Sequence, residues 1–268
     1  MALQTLSYAD YEDLPGLRWS DLKEMRISPL HYLYRIQTPR EDTASMALGR
    51  ATHSAVFEPE LFESDYIVYP NARNSNAWKT FAAEHDISTI LRPAERESAL
   101  RIAEAVRAHG PAAEILAEGI AEQAVTWTDP ETGIPRKARL DWVTPPSVGI
   151  LADLKTAKDI GDITFGRAAG RYCYHGQLVD YVSGLQLETG AAYQPVIIAV
   201  ESHEPYDVRV AEITGAELTT GEELVRELLD RLAECIASYS WPGQFPDRGK
   251  LQLPSWELFD EDNELETP

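Results

Sequence analysis

The chain has 268 residues, 44% of them hydrophobic and 25% charged, with a formal net charge of −20. That length suits one large domain or a core with an added subdomain, and the acidic balance excludes a protein that coats nucleic acid with its whole surface. No apolar run approaches the roughly 18 residues of a membrane span, the N-terminus lacks the basic start of a secretory signal, and two cysteines, Cys173 and Cys235, supply neither a disulfide framework nor a four-cysteine metal or iron–sulfur site; a reducing cytoplasm fits best.

In chain order, residues 19–36 read as two short helices, with Ser20 an N-cap for the first and Pro29 in the first turn of the second. Residues 43–57, "TASMALGRATHSAVF", form an Ala-rich helical pattern with Met46, Gly49, Arg50 and His53 on one face. Residues 77–118 are helical again, broken by Pro93 and by Gly110-Pro111. Then "QAVTW", "IPRKARLDWV" and "VGILADLKTA" read as three strands joined by turns at Pro-Glu-Thr-Gly and Pro-Pro-Ser. A long helix over about residues 164–187 closes at Gly190, and two more strands, "YQPVIIAVES" and "DVRVAEIT", follow. The final helix, about residues 219–239, places Leu224, Leu228, Leu232 and Ile236 on an apolar stripe. The order predicts an α/β fold: a central mixed sheet of about five strands with helices on its faces. A helical part (1–118), a core (119–254) and an acidic tail (255–268) are expected within one globular domain. The tail holds six acids and no base, the mark of a solvated segment.

The triplet Asp-Leu-Lys occurs at 21–23 and again at 153–155, where 44 acids and 6 lysines predict about one acid-x-Lys by chance. Period separates the copies. The first lies in a helical pattern, where residues two apart diverge, and Asp21 reads as a first-turn acid favoured by the helix dipole. The second lies on a strand, where residues two apart share a face. Leu151, Asp153 and Lys155 therefore line one side, and Ile150, Ala152 and Leu154 the other. Burying an acid and a lysine there as a plain salt pair is costly. Asp141, a short turn earlier, comes beside Asp153 by antiparallel pairing. Two close carboxylates are a like-charge arrangement that a divalent cation relieves, and hard oxygen ligands suit Mg²⁺ or Mn²⁺. Taken alone, Asp141 reads equally well as a strand-end acid capping a turn. Residues 136–171 hold seven bases against four acids, leaving −23 on the rest of the chain. Within that window Arg139, Lys158, Arg167 and Arg171 are candidate phosphate contacts, although each by itself is an ordinary surface charge. Trp78 and Trp142 are better read as core than as stacking platforms, and the histidines other than His53 as packed or surface residues.

Four motifs, in order, resemble the exodeoxyribonuclease VIII (RecE-type) branch of the PD-(D/E)XK nuclease superfamily. "MALGRATHSAVFEP" resembles its Gly-x-x-x-His helix, with Gly49 and His53; "ARLDWV" its second-strand acid, Asp141; "LADLKTAK" its Asp-x-Lys-Thr strand, with Asp153, Lys155 and Thr156. "YCYHGQLVDYVSGL" resembles its Gln-x-x-x-Tyr helix, with Gln177 and Tyr181. Together they span residues 46–185, about half the chain, and "ISPLHYLY" is similar to the family's N-terminal helix.

The resemblance implies a divalent metal held by His53, Asp141, Asp153 and the backbone carbonyl of Leu154. Lys155 would orient or help deprotonate the attacking water and stabilise transition-state charge, while Gln177 and Tyr181 position the phosphate or brace Lys155 and the acids. Core packing is the competing role for Tyr181. Glu122 lies where some relatives carry a further acid, which would serve a second ion or brace the first; a solvated strand-end glutamate is the plainer reading. The implied activity is a Mg²⁺-dependent exonuclease on double-stranded DNA ends, resecting 5′ to 3′ and handing the strand to an annealing protein. Such relatives are often phage- or prophage-encoded and form rings around DNA. The alternatives are an endonuclease or single-strand nuclease of the same fold, or a non-catalytic DNA-binding or assembly protein that kept it.

Overall fold

The structure, a computed structural model, describes residues 3–38 and 44–251. The acidic segment 255–268 lies outside them, as does Thr43, the expected start of the Ala-rich helix.

The chain opens with a two-residue strand, β1 (Gln4–Thr5), and three short helices, α1 (Tyr8–Asp13), α2 (Trp19–Leu22) and α3 (Pro29–Gln37). Ser28 caps α3, its hydroxyl accepting the His31 N–H, with Pro29 in the first turn where its missing N–H costs nothing. α2 begins one residue before the expected Ser20 cap: Arg18 takes the cap position and its guanidinium ties to Asp21, which does sit in the first turn. α4 (Ala44–Phe57) and α5 (Pro59–Asp65) lead to β2 (Ile67–Val68), α6 (Asn76–Ala83) and β3 (Ile90–Leu91), where β2 and β3 form a small parallel pair. Pro93 and Pro111 begin helices rather than merely ending them, opening α7 (Pro93–Ala108) and α8 (Gly110–Leu116).

The main sheet uses β4 (Ile120–Thr128), β5 (Pro135–Val143), β6 (Ile150–Ala157), β7 (Gln194–Glu201) and β8 (Val208–Glu212). Among the described residues it has six strands in the order β1-β4-β5-β6-β7-β8, because β1 adds to the free edge of β4. A two-residue strand carries no readable period, so this sixth strand was not expected. β6 and β7 are parallel and every other pair antiparallel. The parallel pair needs a crossover, supplied by α9 (Asp162–Tyr172) and α10 (Tyr174–Thr189). The sequence pattern predicts one helix here; the chain instead breaks at Cys173, whose φ of 58° is left-handed. The cause is tertiary: the Arg26 guanidinium donates to the Gly170 and Arg171 carbonyls, satisfying groups that a continuing helix would use. α10 does end at Gly190, in the left-handed conformation that glycine adopts freely.

Alternation along the strands splits the core in two. Ala152, Leu154, Val196 and Ile198 face α4 and α7, packing with Ala55, Phe57 and Ile102. Leu151, Ile197 and Ala199 face α10, packing with Leu178 and Leu185. A third cluster joins α2 and α3 to α11 (Gly215–Ser238) through Trp19, Met25, Leu228 and Leu232. Ile236, expected on that stripe, is 49% exposed, and Leu229 and Cys235 are buried instead. A row of residues four apart drifts about 40° per step on a 3.6-residue helix, so the fourth member has rotated away from the core.

Candidate active site

The candidate site starts where β5 and β6 part. Their pairing covers Trp142 with Ala152 and Val143 with Leu151. Beyond it the strands diverge, and the Asp141 carboxylate, rather than a backbone carbonyl, accepts the Leu154 N–H at 2.8 Å. On the other edge of β6, the carbonyls of Gly149 and Ala157 accept from the β7 side, through Gln194 and Ser202, while that of Ile150 accepts from Thr144 before β6. Backbone groups alternate edges along a strand, so the Leu154 carbonyl opens into the same fork as its N–H.

Across β4 and β5 the register places Glu122 opposite Asp141: Ala121 pairs with Trp142 and Gln123 with Leu140. At Glu122 the backbone turns to φ 52°, a left-handed conformation that costs a residue with a side chain about 1–2 kcal/mol. Strain of this kind persists where the surroundings require it, and functional sites are where it collects. Two acids directly opposite each other also repel. His53 arrives from α4 on the row Gly49, His53, Phe57: Phe57 stacks on Trp142 at 5.9 Å, and the Trp142 indole donates to the Ile115 carbonyl. The imidazole Nδ1 then lies 3.3 Å from the Asp141 carboxylate.

The donor atoms of His53, Glu122 and Asp141 all fall within 4.8 Å of one another. A hard cation with bonds of about 2.0–2.6 Å spans donors separated by roughly that much, so the three fit a divalent ion. Titration behaviour agrees. Burial first, then Asp141, pushes the Glu122 carboxyl up to about 7. Burial opposes protonation of His53, but the Asp141 carboxylate outweighs it and holds the imidazole up at about 9. Asp141 itself is depressed; burial works against this, and His53 and Lys155 prevail. Excess negative charge is thus gathered with a proton or two where a cation could stand.

Asp153 and Lys155 share the opposite parity of β6, as the strand period predicts. Asp153 is 3% exposed. It stands outside the three-donor set, its carboxylate turned to the Lys155 ammonium and 3.4 Å from the Gln177 amide. A buried acid takes the nearest cation. Burial, and to a smaller degree Asp141, still lifts the Asp153 carboxyl to about 6 against the pull of Lys155. Lys155 is raised in turn, since Asp153 and Asp141 overcome its burial. Gln177 also donates to the Tyr181 hydroxyl at 3.1 Å, so α10 braces the acid through a Tyr181–Gln177–Asp153 chain, and burial holds the Tyr181 phenol well above its usual range.

The candidate phosphate contacts divide. Arg139 is committed to Glu122 at 2.9 Å and lies over the Tyr8 ring. Lys158, Arg167 and Arg171 are exposed on β6–α9 and its end. Two residues carry more than the sequence reading gave them. Glu122 completes the donor set, and hairpin register counted back from the Thr128–Pro135 pair would have placed it opposite Asp141. Tyr174, under the Lys155 ammonium at 5.0 Å, had no sequence signal beyond being aromatic. Of the two tryptophans read as core, Trp142 packs in the α4 cluster and Trp78 against Tyr69 and Phe81.

A mixed sheet that forks beside an Asp-x-Lys strand, with a histidine and two further acids at the fork, is the arrangement of the PD-(D/E)XK nuclease fold. The chain belongs to the family described as a PDDEXK-like domain of unknown function (DUF3799), whose model matches residues 19–248. Its structure is similar to that of a Eubacterium rectale protein described as "Putative exonuclease", with 16% identity and a TM-score of 0.61 over 86% of this chain and 87% of that one; at that identity the likeness shows the fold. A second solved structure, SSO0001, aligns over 79% of this chain and 84% of its own at 13% identity, with a TM-score of 0.32 that bears no argument. No curated protein matches the sequence.

Proposed function

We propose that the protein is a Mg²⁺-dependent deoxyribonuclease that removes nucleotides from the ends of linear double-stranded DNA, with Mn²⁺ able to substitute. The observation that carries this reading is the juxtaposition, at one fork, of a three-donor cation set with a lysine paired to a buried acid. His53, Glu122 and Asp141 would hold the ion, with the Leu154 carbonyl and, once its pairing with Lys155 is exchanged, Asp153 as further oxygens. When bound, such an ion polarises the scissile phosphate and lowers the pKa of water. Lys155 supplies a fixed positive charge to the phosphoryl oxygens and orients the attacking water. Gln177 holds Asp153 in place, and Tyr181 holds Gln177.

End resection in the 5′-to-3′ direction, a strand-annealing partner, a ring of copies around DNA, a phage or prophage origin and a cytoplasmic site of action extend this proposal, on the strength of the RecE-type resemblance. No helix among the described residues is long and apolar enough to cross a membrane. The test uses end-labelled linear and closed circular duplexes, with Mg²⁺ or EDTA, beside Asp153→Ala. Mononucleotides from the linear substrate only, lost in the variant and with EDTA, are expected. Nicked circles would assign an endonuclease, and no turnover with any divalent metal would assign a DNA-binding or assembly protein.

A further inference from the structure

We infer that Tyr172 and Tyr174 form a stacking platform for an unpaired nucleobase of the strand being cut, so that the enzyme holds a frayed or single-stranded end beside Lys155. The inference rests on the nuclease reading and adds how the substrate's bases are held. The left-handed turn at Cys173 separates α9 from α10 and lets two residues on either side of it present their rings together. Tyr172 and Tyr174 stack with centroids 5.8 Å apart and planes 23° from parallel. The inner ring, Tyr174, is backed by the buried Phe165 and lies 5.0 Å from the Lys155 ammonium. The outer ring, Tyr172, is 50% exposed.

Tyr172 is therefore at most about 11 Å from Lys155 by way of the two contacts. That is the reach of about two nucleotides of an extended strand, or about three stacked ones, from a phosphate at the ammonium, at roughly 3.4 Å per stacked base and about twice that when extended. Two independent features match a nucleic-acid strand. The Arg171 guanidinium lies over the Tyr172 ring at 5.9 Å, placing a cation at the ring that a base on it would meet. Arg167, one helical turn before Arg171, and Lys158 are exposed on the same stretch, where residues 158–171 hold these three bases against the two acids Asp159 and Asp162. Aromatic faces flanked by cations bind single strands without reading sequence, because every base offers a π-face. A half-exposed ring stacked on a partly buried partner is held on one side, so less side-chain entropy is lost when a base settles on it.

The test measures binding by the Asp153→Asn protein, with EDTA and with Ca²⁺, to fluorescent duplexes that end blunt or carry a three-nucleotide single-stranded tail. Each tailed duplex is made intact and with abasic residues in the tail, which keep the phosphates and remove the stacking surface. Removing the bases should weaken binding about 5- to 150-fold, the effect of one stacked base. Tyr172→Ala should weaken binding to the intact tail by a similar factor and abolish the sensitivity to abasic residues, whereas Tyr172→Trp should preserve both. A Tyr172→Ala protein that melts normally and still discriminates intact from abasic tails would overturn the platform. So would equal binding of intact and abasic tails by the parent protein. Absence of cleavage by the unsubstituted protein in Mg²⁺ would instead fail the nuclease reading, which this binding measurement does not require.

Discussion

Arg136 and Asp180 pin α10 to β5 by an ion pair at 2.5 Å, with the two side chains 0% and 2% exposed, and the Arg136 guanidinium lies 5.8 Å from the centre of the Trp127 ring. The same helix aims Gln177 at Asp153, so the pair positions the site from behind. Burial outweighs Arg136 and raises the Asp180 carboxyl above its ordinary value, which means the attraction does not fully offset the cost of desolvating the carboxylate. Substituting one member leaves the other charge buried and unpaired, at about 3–5 kcal/mol; replacing both with apolar residues of similar volume is commonly neutral or stabilising. Asp180→Leu and Arg136→Met should each therefore lower stability by about 3–5 kcal/mol, and the double variant should return to within about 1 kcal/mol of the parent. With an unfolding entropy of about 2.1 cal/mol/K per residue, the single changes correspond to a Tm lower by roughly 5–9 °C. Calorimetric melting of all four proteins, with metal affinity of the folded proteins as the second readout, makes the cycle complete. A double variant as unstable as the single ones would refute the reasoning and show that shape, rather than paired charge, holds α10.

Further outcomes follow from the site and its supports. Because His53 is held up to about 9 and Glu122 to about 7, a cation must displace their protons: affinity should rise from pH 6 to 9, with between one and two protons released per ion at pH 7. Titration calorimetry in buffers of different ionisation enthalpy measures this, and proton-neutral binding would contradict the donor set. Lys155→Met should lower turnover by about 10²–10³-fold and leave that metal affinity within a few-fold, since Lys155 lies outside the three donors; parallel loss of both would move it into the metal site. A Cβ on Gly184 would meet the Trp127 ring at 2.5 Å, whereas one on Gly166 would meet nothing within 4 Å. Thermal melting should find Gly184→Ala destabilising by about 1–3 kcal/mol and Gly166→Ala neutral or stabilising by up to about 1 kcal/mol.

Local chemistry was legible in the sequence wherever a repeat of two or an end signal was strong. Alternation over residues 150–157 put Asp153 and Lys155 on one face, Pro29 and Gly190 marked helix ends, and the order of strands and helices implied a mixed sheet with covered faces. Three features needed the tertiary structure. β1 is too short to have a period and exists because the edge of β4 offers it partners. The break at Cys173 depends on a guanidinium from a segment almost 150 residues away in the chain. The choice of Glu122 as neighbour of His53 and Asp141 follows from hairpin register and from a left-handed turn of the backbone. Sequence periodicity reports which way a side chain faces relative to its own element. Which side chains then meet is set by register, edges and packing between elements, and only the folded chain holds those.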